Sequence, residues 1–122
     1  MTKRVLWLLA GSAAVGLAGC ASSPHSATQK TYDAYWQCAS QAVRPYIARQ
    51  DLSSREAAMR AQAQCNGSYQ QYRSSQIATV RHTVARDSYD MADQLGAQQA
   101  LVWRRRVTQT LTDYVQQLRT GG

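Results

Sequence analysis

Apolar residues recur every three or four positions along most of this 122-residue chain, and this spacing constrains the fold more than any other feature. The pattern runs from Thr31 to Leu118, and the only proline within it is Pro45. A helix collects residues at such spacing on one face. We therefore predict an all-α fold, in which a disulfide-braced helical hairpin is extended into a small bundle of three or four helices.

Helix start and stop signals divide the pattern into segments. The first predicted helix runs from Thr31, as N-cap, to Gln50, and Pro45 should interrupt it because proline lacks the backbone donor. Residues 51–53 are predicted to form a turn. Ser53 and Glu56 have the spacing of a capping box, so a second helix should begin directly after the turn.

The boundaries beyond this second helix are less defined. Gly67 either ends it as a left-handed cap or lies within a longer helix, and the sequence slightly favours continuity. A single helix from Ser54 to Arg119 would be about 100 Å long and would bury little of its surface. A break near Asp87 and Ser88 is therefore expected, unless the chain forms an oligomeric coiled coil.

The first twenty residues have the layout of a secretory signal peptide. Lys3 and Arg4 precede an apolar run, and small residues follow. The run has about 12 to 15 apolar residues, fewer than the roughly 20 that a membrane-spanning helix needs. The segment then ends in four residues that match every position of the lipobox, the lipidation signal of bacterial lipoproteins: Leu17, Ala18, Gly19 and Cys20. The alternative is an ordinary signal peptide that is cleaved elsewhere.

The chain thus resembles bacterial lipoproteins, and the resemblance implies several properties. Residues 1–19 would be removed, and Cys20 would carry a diacylglycerol and an N-acyl chain such as palmitate, which anchor the protein without any other cofactor. Ala21 occupies the place where an Asp would retain a lipoprotein in the inner membrane. The resemblance therefore implies the periplasmic face of the outer membrane, with the inner membrane as the less favoured location.

The two remaining cysteines lie symmetrically about the predicted turn. Cys38 precedes Asp51 by thirteen residues, and Cys65 follows Leu52 by thirteen. Equal helical arms bring them to the same level, and an exported chain meets an oxidising compartment. With Cys20 lipidated the remaining count is even, so we predict a Cys38–Cys65 disulfide, with two buried free thiols as the alternative.

The mature chain divides into a tether and a domain. Residues 20–30 are small and polar, and they predict a lipidated flexible tether in which His25 is solvated. Residues 31–120 form the predicted helical domain. Trp36 and Cys38 in one helix, with an alanine-rich second helix that ends at Cys65, are similar to many small bacterial lipoproteins, and this likeness implies no activity.

Charge suggests anionic partners. Without Lys3 and Arg4 the formal charge of +7 becomes +5, which suits lipid head groups or acidic envelope polymers, whereas an exported chain rarely meets nucleic acid. The densest positive charge is Arg104-Arg105-Arg106. Three consecutive helical residues point in different directions, so a solvated face is favoured over a shared anion site. The seven tyrosines are expected to supply core aromatics in a chain without Phe, rather than a partner surface.

No arrangement of residues predicts catalysis or a metal site. His82 lies near Asp87, Asp90 and Asp93 but within a basic stretch, and the chain contains a single Glu and no hydrolase or metalloprotease motif. We therefore expect a non-catalytic, lipid-anchored envelope protein, without metal or other cofactor, that acts as a protein-interaction or structural accessory module for another envelope protein. The alternative is a binding module for anionic envelope polymers or lipid head groups.

Overall fold

The computed structural model describes residues 24–121, and within them five α-helices form a bundle without strands. The helices are α1 (Pro24–Ala42), α2 (Arg44–Ile47), α3 (Ser54–Gln64), α4 (Asn66–Arg81) and α5 (Tyr89–Thr120), and a short 3₁₀ turn (Arg86–Ser88) precedes α5. The predicted all-α bundle is confirmed. Its four longer helices are supplemented by the one-turn helix α2.

The four longer helices form a three-membered bundle, in which α3 and α4 together make one member. This α3–α4 segment runs antiparallel to both α1 and α5. The Cys38–Cys65 disulfide joins α1 to the junction of α3 and α4. Gln62 bonds to Thr108 of α5, and Arg81 pairs with Asp93 of α5. Both α1 and α5 therefore pack on the α3–α4 segment, and they also contact each other where Tyr32 packs against Trp103.

The buried side chains form one core cluster between the helices. Ala57, Ala58 and Ala61 are fully buried in α3, where their small side chains let α1 and α5 approach closely. The larger buried side chains come from the rest of the chain and include Tyr35, Val43, Tyr69, Tyr72, Val107, Leu111 and Val115. Because the buried residues combine small and large side chains, a core of modest size fills without Phe.

The hairpin turn follows the prediction. Val43 interrupts the helix before Pro45, which lies in the first turn of α2, where a missing amide donor costs little. Ser53 is the N-cap of α3: the Glu56 amide donates to its hydroxyl at 3.1 Å, and the Ser53 amide donates to the Glu56 carboxylate at 2.8 Å. The capping box is confirmed.

The predicted disulfide is also confirmed. Its Cα atoms are 5.8 Å apart, and the two half-cystines are separated by 27 positions in sequence. Cys65 is itself the single non-helical residue between α3 and α4. Gly67 lies in the first turn of α4 with a negative φ, so the left-handed cap is absent, and the interruption occurs two residues earlier.

The prediction for the start of the domain is wrong. Residues 24–30, assigned to the flexible tether, form the first turns of α1, and Thr31 is not an N-cap but bonds through its hydroxyl to the Ala27 carbonyl. The cause is a long-range contact. The hydroxyls of Thr28 and Thr79 are 2.6 Å apart, and both lie within hydrogen-bond distance of the Pro24 carbonyl. Residues 20–23 lie outside the described residues.

The break before α5 lies where the sequence predicted it. Residues 82–88 separate α4 from α5, and Ser88 occupies the N-cap position of α5. Its side chain makes no capping hydrogen bond, however, and Asp87 lies in the 3₁₀ turn. The position of the break was therefore predicted correctly, but the capping hydrogen bond expected from Ser88 or Asp87 is absent.

Candidate interaction surfaces

The solvent-facing side of α5 carries an unusual set of exposed apolar residues. Met91 is 70% exposed and Val102 is 53% exposed, and Leu95 and Leu101 are also exposed. Successive helical residues rotate by about 100°, so these four side chains fall within an arc of about 120°. We call Met91, Leu95, Leu101 and Val102 the outer stripe. An apolar arc of this width is typical of a helix face that packs against another element.

The outer stripe is exposed because α5 packs through another face. Ala92, Gly96 and Ala100 recur every four residues and are buried, and Val107 and Leu111 continue that line. At Gly96 the approach is very close, since an added Cβ would lie 2.6 Å from the Ile77 Cα of α4. The small residues thus form the seam with α4, and the larger apolar residues of this part of α5 remain in solvent.

Charges of opposite sign flank the outer stripe. Asp90 is exposed one residue before Met91, and Arg105 and Arg106 are exposed after Val102. The Asp90 and Arg106 side chains are each eight positions from Gln98, which lies within the stripe. The stripe is therefore acidic at one end and basic at the other, a polarity that any partner must match.

The side chains of the three consecutive arginines, Arg104 to Arg106, lie in different directions. The Arg104 guanidinium lies 4.8 Å from the centre of the Tyr69 ring, and the Arg106 guanidinium lies 4.7 Å from the Trp103 ring. Arg104 is half-buried, whereas Arg105 and Arg106 are exposed. Two of the three cations thus cover aromatic rings in different directions, as the rotation of about 100° per residue requires.

A groove between α1, α4 and α5 is a second candidate surface. It has a volume of about 370 Å³, and its aromatic end is formed by Tyr32, Tyr72 and Trp103. The Tyr32 ring packs edge-on against both other rings, with centroids 5.4 Å apart in each pair. The polar end holds Thr28 and Thr79, whose hydroxyls already bond to each other. The groove is thus mostly apolar with a satisfied polar end.

The tyrosines divide between core and surface. Tyr35, Tyr69 and Tyr72 are buried, as predicted for core aromatics, whereas Tyr114 is exposed. Burial raises the pKa of Tyr35 and of Tyr72 to about 12, so both phenols remain protonated at neutral pH. The Tyr35 hydroxyl lies 3.2 Å from the Gln62 side-chain oxygen and donates to it. These groups stabilise the core.

Among the titratable residues near His82, Asp93 is engaged by the Arg81 side chain. Asp93 accepts two hydrogen bonds of 2.6 Å from the Arg81 guanidinium, which lowers the pKa of that carboxyl. His82, Asp87 and Asp90 are exposed on the loop and the start of α5. His25 is exposed in the first turn of α1 rather than in a tether. Within residues 24–121, no cluster of three His, Cys, Asp or Glu side chains could hold a metal ion.

The lipobox residues Leu17, Ala18, Gly19 and Cys20 lie outside the described residues, so lipidation stays a prediction. In the part of the chain that the structure describes, no helix is both long and apolar enough to cross a membrane.

Met91, Leu95 and Val102 belong to the apolar helical pattern of the sequence, and this pattern alone does not separate them from the core residues. A signal was present in the neighbouring residues. Ala92, Gly96 and Ala100 form a second line at intervals of four, and small residues at that spacing favour close helix packing. The small residues and the larger apolar residues therefore lie on two different faces of the helix, and the close packing predicted for the small residues leaves the other face uncovered.

No known protein family matches this chain, and neither a curated protein nor a solved structure matches it.

Proposed function

We propose that this protein is a non-catalytic, lipid-anchored envelope protein that acts as a protein-interaction or structural accessory module. The observation that carries the proposal is the outer stripe on α5, where four large apolar side chains face solvent along one arc. Large apolar side chains exposed along one face are typical of interaction sites in monomeric domains. The anchor is expected at Cys20, on the periplasmic face of the outer membrane.

The anchor is tested by changing Cys20 to Ser. Two acyl chains hold a protein on a membrane almost permanently, so the variant should move from the membrane fraction to the soluble fraction. Ala21→Asp is the matched control, because it keeps the cysteine and should change only which membrane carries the protein. Membrane binding of Cys20→Ser at both low and high salt would contradict the lipid anchor.

The interaction surface is tested by photo-cross-linking in cells. A photoreactive residue at position 95, within the outer stripe, should capture one defined partner. The same residue at position 59 is the control, because Met59 is also apolar and exposed but lies on α3. Equal cross-linking from both positions, or none from position 95, would contradict the assignment of the stripe.

A second candidate function is binding to anionic envelope polymers or lipid head groups. The exposure of Arg105 and Arg106 at one end of the outer stripe favours it. Such binding depends on charge and is weakened by salt. Sedimentation of the Cys20→Ser variant with phosphatidylglycerol vesicles that is lost at high salt, and lost when Arg105→Gln/Arg106→Gln is added, would support this function over a protein partner.

A further inference from the structure

A small cavity lies between α3 and α5. It has a volume of about 130 Å³, and it is lined by Arg55, Met59 and Gln62 of α3 and by Arg104 and Thr108 of α5. Two of these five residues are arginines, and none is acidic. Drug-sized ligands occupy cavities of roughly 300 to 1,000 Å³. This cavity therefore suits a single small charged group rather than a large ligand.

The charge of the two arginines is not balanced by acidic side chains. Neither arginine forms an ion pair with another residue of the described chain. The acids closest to Arg55 in sequence are engaged elsewhere: Asp51 pairs with Arg49, and Glu56 accepts a hydrogen bond from the Ser53 amide. Two guanidinium groups at one cavity repel each other, and an anion between them removes the repulsion. The cavity therefore has the charge of an anion site.

Arg104 is held in position by the fold itself. Its guanidinium lies 4.8 Å from the centre of the Tyr69 ring, and its side chain is half-buried, whereas Arg105 and Arg106 are exposed. A planar guanidinium stacked on a ring keeps its N–H edge free to bind an oxyanion. The stacking fixes these donors in advance, so less conformational entropy is lost when a ligand binds.

Gln62 supplies a further donor to the cavity. Among residues 24–121 it is the only buried side chain that carries an amide, a carboxylate or a positive charge, and it is 4% exposed. Its amide nitrogen donates to the Thr108 hydroxyl at 2.9 Å, and its oxygen accepts from the Tyr35 hydroxyl at 3.2 Å. A primary amide has two N–H donors, and Thr108 accepts one of them. The second N–H can donate to a group in the cavity.

We propose that the cavity between Arg55 and Arg104 binds a phosphate group, either free or at the end of a monoester. The two guanidinium groups bind two phosphate oxygens, and the Gln62 amide donates to a third. Guanidinium groups suit phosphate because their parallel N–H donors match the spacing of its oxygens. A phosphate group presents three such oxygens in three directions, whereas a carboxylate has two in one plane. The donors on two facing helices therefore fit phosphate better.

The inference goes beyond the proposed function and does not depend on it. It concerns one cavity between α3 and α5, whether or not a protein binds the outer stripe. It also differs from attraction to anionic surfaces through Arg105 and Arg106, because that attraction needs only exposed charge. The cavity instead selects a terminal phosphate, which occurs both as free phosphate and in lipid head groups such as that of phosphatidic acid.

The first experiment titrates inorganic phosphate into the full chain in mild detergent, at neutral pH and constant ionic strength. The nuclear magnetic resonance signal of the Gln62 side-chain amide should shift, with a Kd of about 1 mM or lower. Chloride at the same ionic strength is the control and should leave the signal unchanged. The absence of any shift up to about 50 mM phosphate would overturn the inference.

Four variants test the two arginines. Arg55→Gln and Arg104→Gln should each weaken phosphate binding at least about tenfold, because each removes charge-assisted hydrogen bonds. Arg60→Gln and Arg105→Gln are matched controls, since they remove the same charge from exposed positions of the same two helices. We expect the controls to change the affinity less than about twofold. Equal weakening by all four variants would indicate general charge attraction and would contradict a site.

Gln62→Glu tests the amide. The new side chain has nearly the same size, but its carboxylate only accepts hydrogen bonds and repels phosphate, so binding should be lost. Circular dichroism verifies that the variant is folded. In thermal denaturation, phosphate should stabilise the wild type and Arg60→Gln but not Gln62→Glu or Arg55→Gln. Unchanged phosphate binding by Gln62→Glu would contradict the proposed site.

Vesicles distinguish the two sources of phosphate. If the ligand is a lipid head group, Cys20→Ser should sediment more with vesicles that contain phosphatidic acid than with phosphatidylglycerol vesicles of equal charge. Binding of inorganic phosphate with equal sedimentation on both vesicles would instead identify free phosphate or a soluble monoester. If the protein neither binds inorganic phosphate nor prefers phosphatidic acid, the inference is refuted, while cross-linking from position 95 still tests the proposed function independently.

Discussion

The two ends of the bundle are built differently. At the end that holds the α2–α3 turn, the Arg119 guanidinium of α5 donates to the carbonyls of Ile47 and Leu52 at 2.9 and 2.8 Å, and also to those of Tyr46 and Arg49. At the opposite end, residues 82–87 between α4 and α5 are exposed, and Ser88 caps nothing. The first end is thus held by four hydrogen bonds from one side chain, while the second has an exposed loop that is followed by the exposed Met91 and Leu95.

The difference suggests a division of labour. The capping box and Arg119 act where α2, α3 and α5 meet, and the disulfide joins α1 to the α3–α4 junction, so these restraints lie between the turn and the middle of the bundle. The α4–α5 end is held by the close contact at Gly96, the Thr28–Thr79 hydrogen bond and the exposed Arg81–Asp93 pair, and exposed pairs contribute little. That end also carries the outer stripe. We expect a partner to bind the outer stripe, because its residues are not buried when the chain folds.

The largest effect should follow loss of the disulfide. The bridge closes a loop of 27 positions, so Cys38→Ser/Cys65→Ser should lower the free energy of unfolding by about 3 to 4 kcal/mol. Urea denaturation measures the change. Arg81→Gln/Asp93→Asn, which removes the exposed ion pair at the other end, is the contrast and should cost less than about 1 kcal/mol. Equal losses at the two ends would contradict the comparison.

The α4–α5 contact is tested by substituting two glycines, of which one lies at the contact and the other does not. Gly96→Ala should destabilise the protein by about 2 kcal/mol, because its Cβ would lie 2.6 Å from the backbone of Ile77. Gly67→Ala meets nothing within 4 Å and should stabilise it by about 0.5 to 1 kcal/mol through helix propensity. Thermal denaturation of both variants checks the opposite signs, and a neutral or stabilising Gly96→Ala would show that the close approach at Gly96 is not limiting.

Removing the Arg119 hydrogen bonds should have a similar or smaller effect. Arg119→Met keeps the apolar stem but removes a donor from four carbonyls, of which those of Tyr46 and Arg49 still accept from backbone amides, and we expect a loss of about 2 kcal/mol in urea denaturation. Arg105→Met is the control, since that exposed side chain should contribute almost nothing to stability. A similar result for the two variants would mean that Arg119 does not hold the turn.

The smallest effect compares two serine caps. Ser53→Ala removes the hydroxyl that accepts from the Glu56 amide and should cost about 1 kcal/mol. Ser88→Ala should be nearly neutral, because Ser88 makes no capping bond at the start of α5. Denaturation curves of both variants give the difference directly. If Ser88→Ala cost as much as Ser53→Ala, the two ends would be capped alike.

Local chemistry made much of the fold predictable. The cysteine spacing, Pro45 and the Ser53–Glu56 pair are each interpreted from neighbouring residues, and the structure agrees with all three. The start of α1 was not predictable in this way. Thr28 is ordered by Thr79, which is 51 positions away, and a small polar sequence gives no sign of such a contact.

The candidate surface was only partly predictable, for the same reason. Helical spacing identified the apolar residues of α5, but their exposure depends on which face α4 covers, and Gly96 decides this through its contact with Ile77. The Arg119 hydrogen bonds also involve carbonyls about 70 positions away, which leave no trace in a local pattern. Residues that act through long-range packing were therefore missed.

The most direct test of this account is hydrogen exchange of the full chain. Amides in α3 and the second half of α1 should exchange slowly, and those from residue 82 to residue 95 much faster. Uniform protection along the bundle, or slower exchange at residues 82–95 than in α3, would contradict the claim that the α2–α3 half of the bundle stabilises the fold more than the α4–α5 end does.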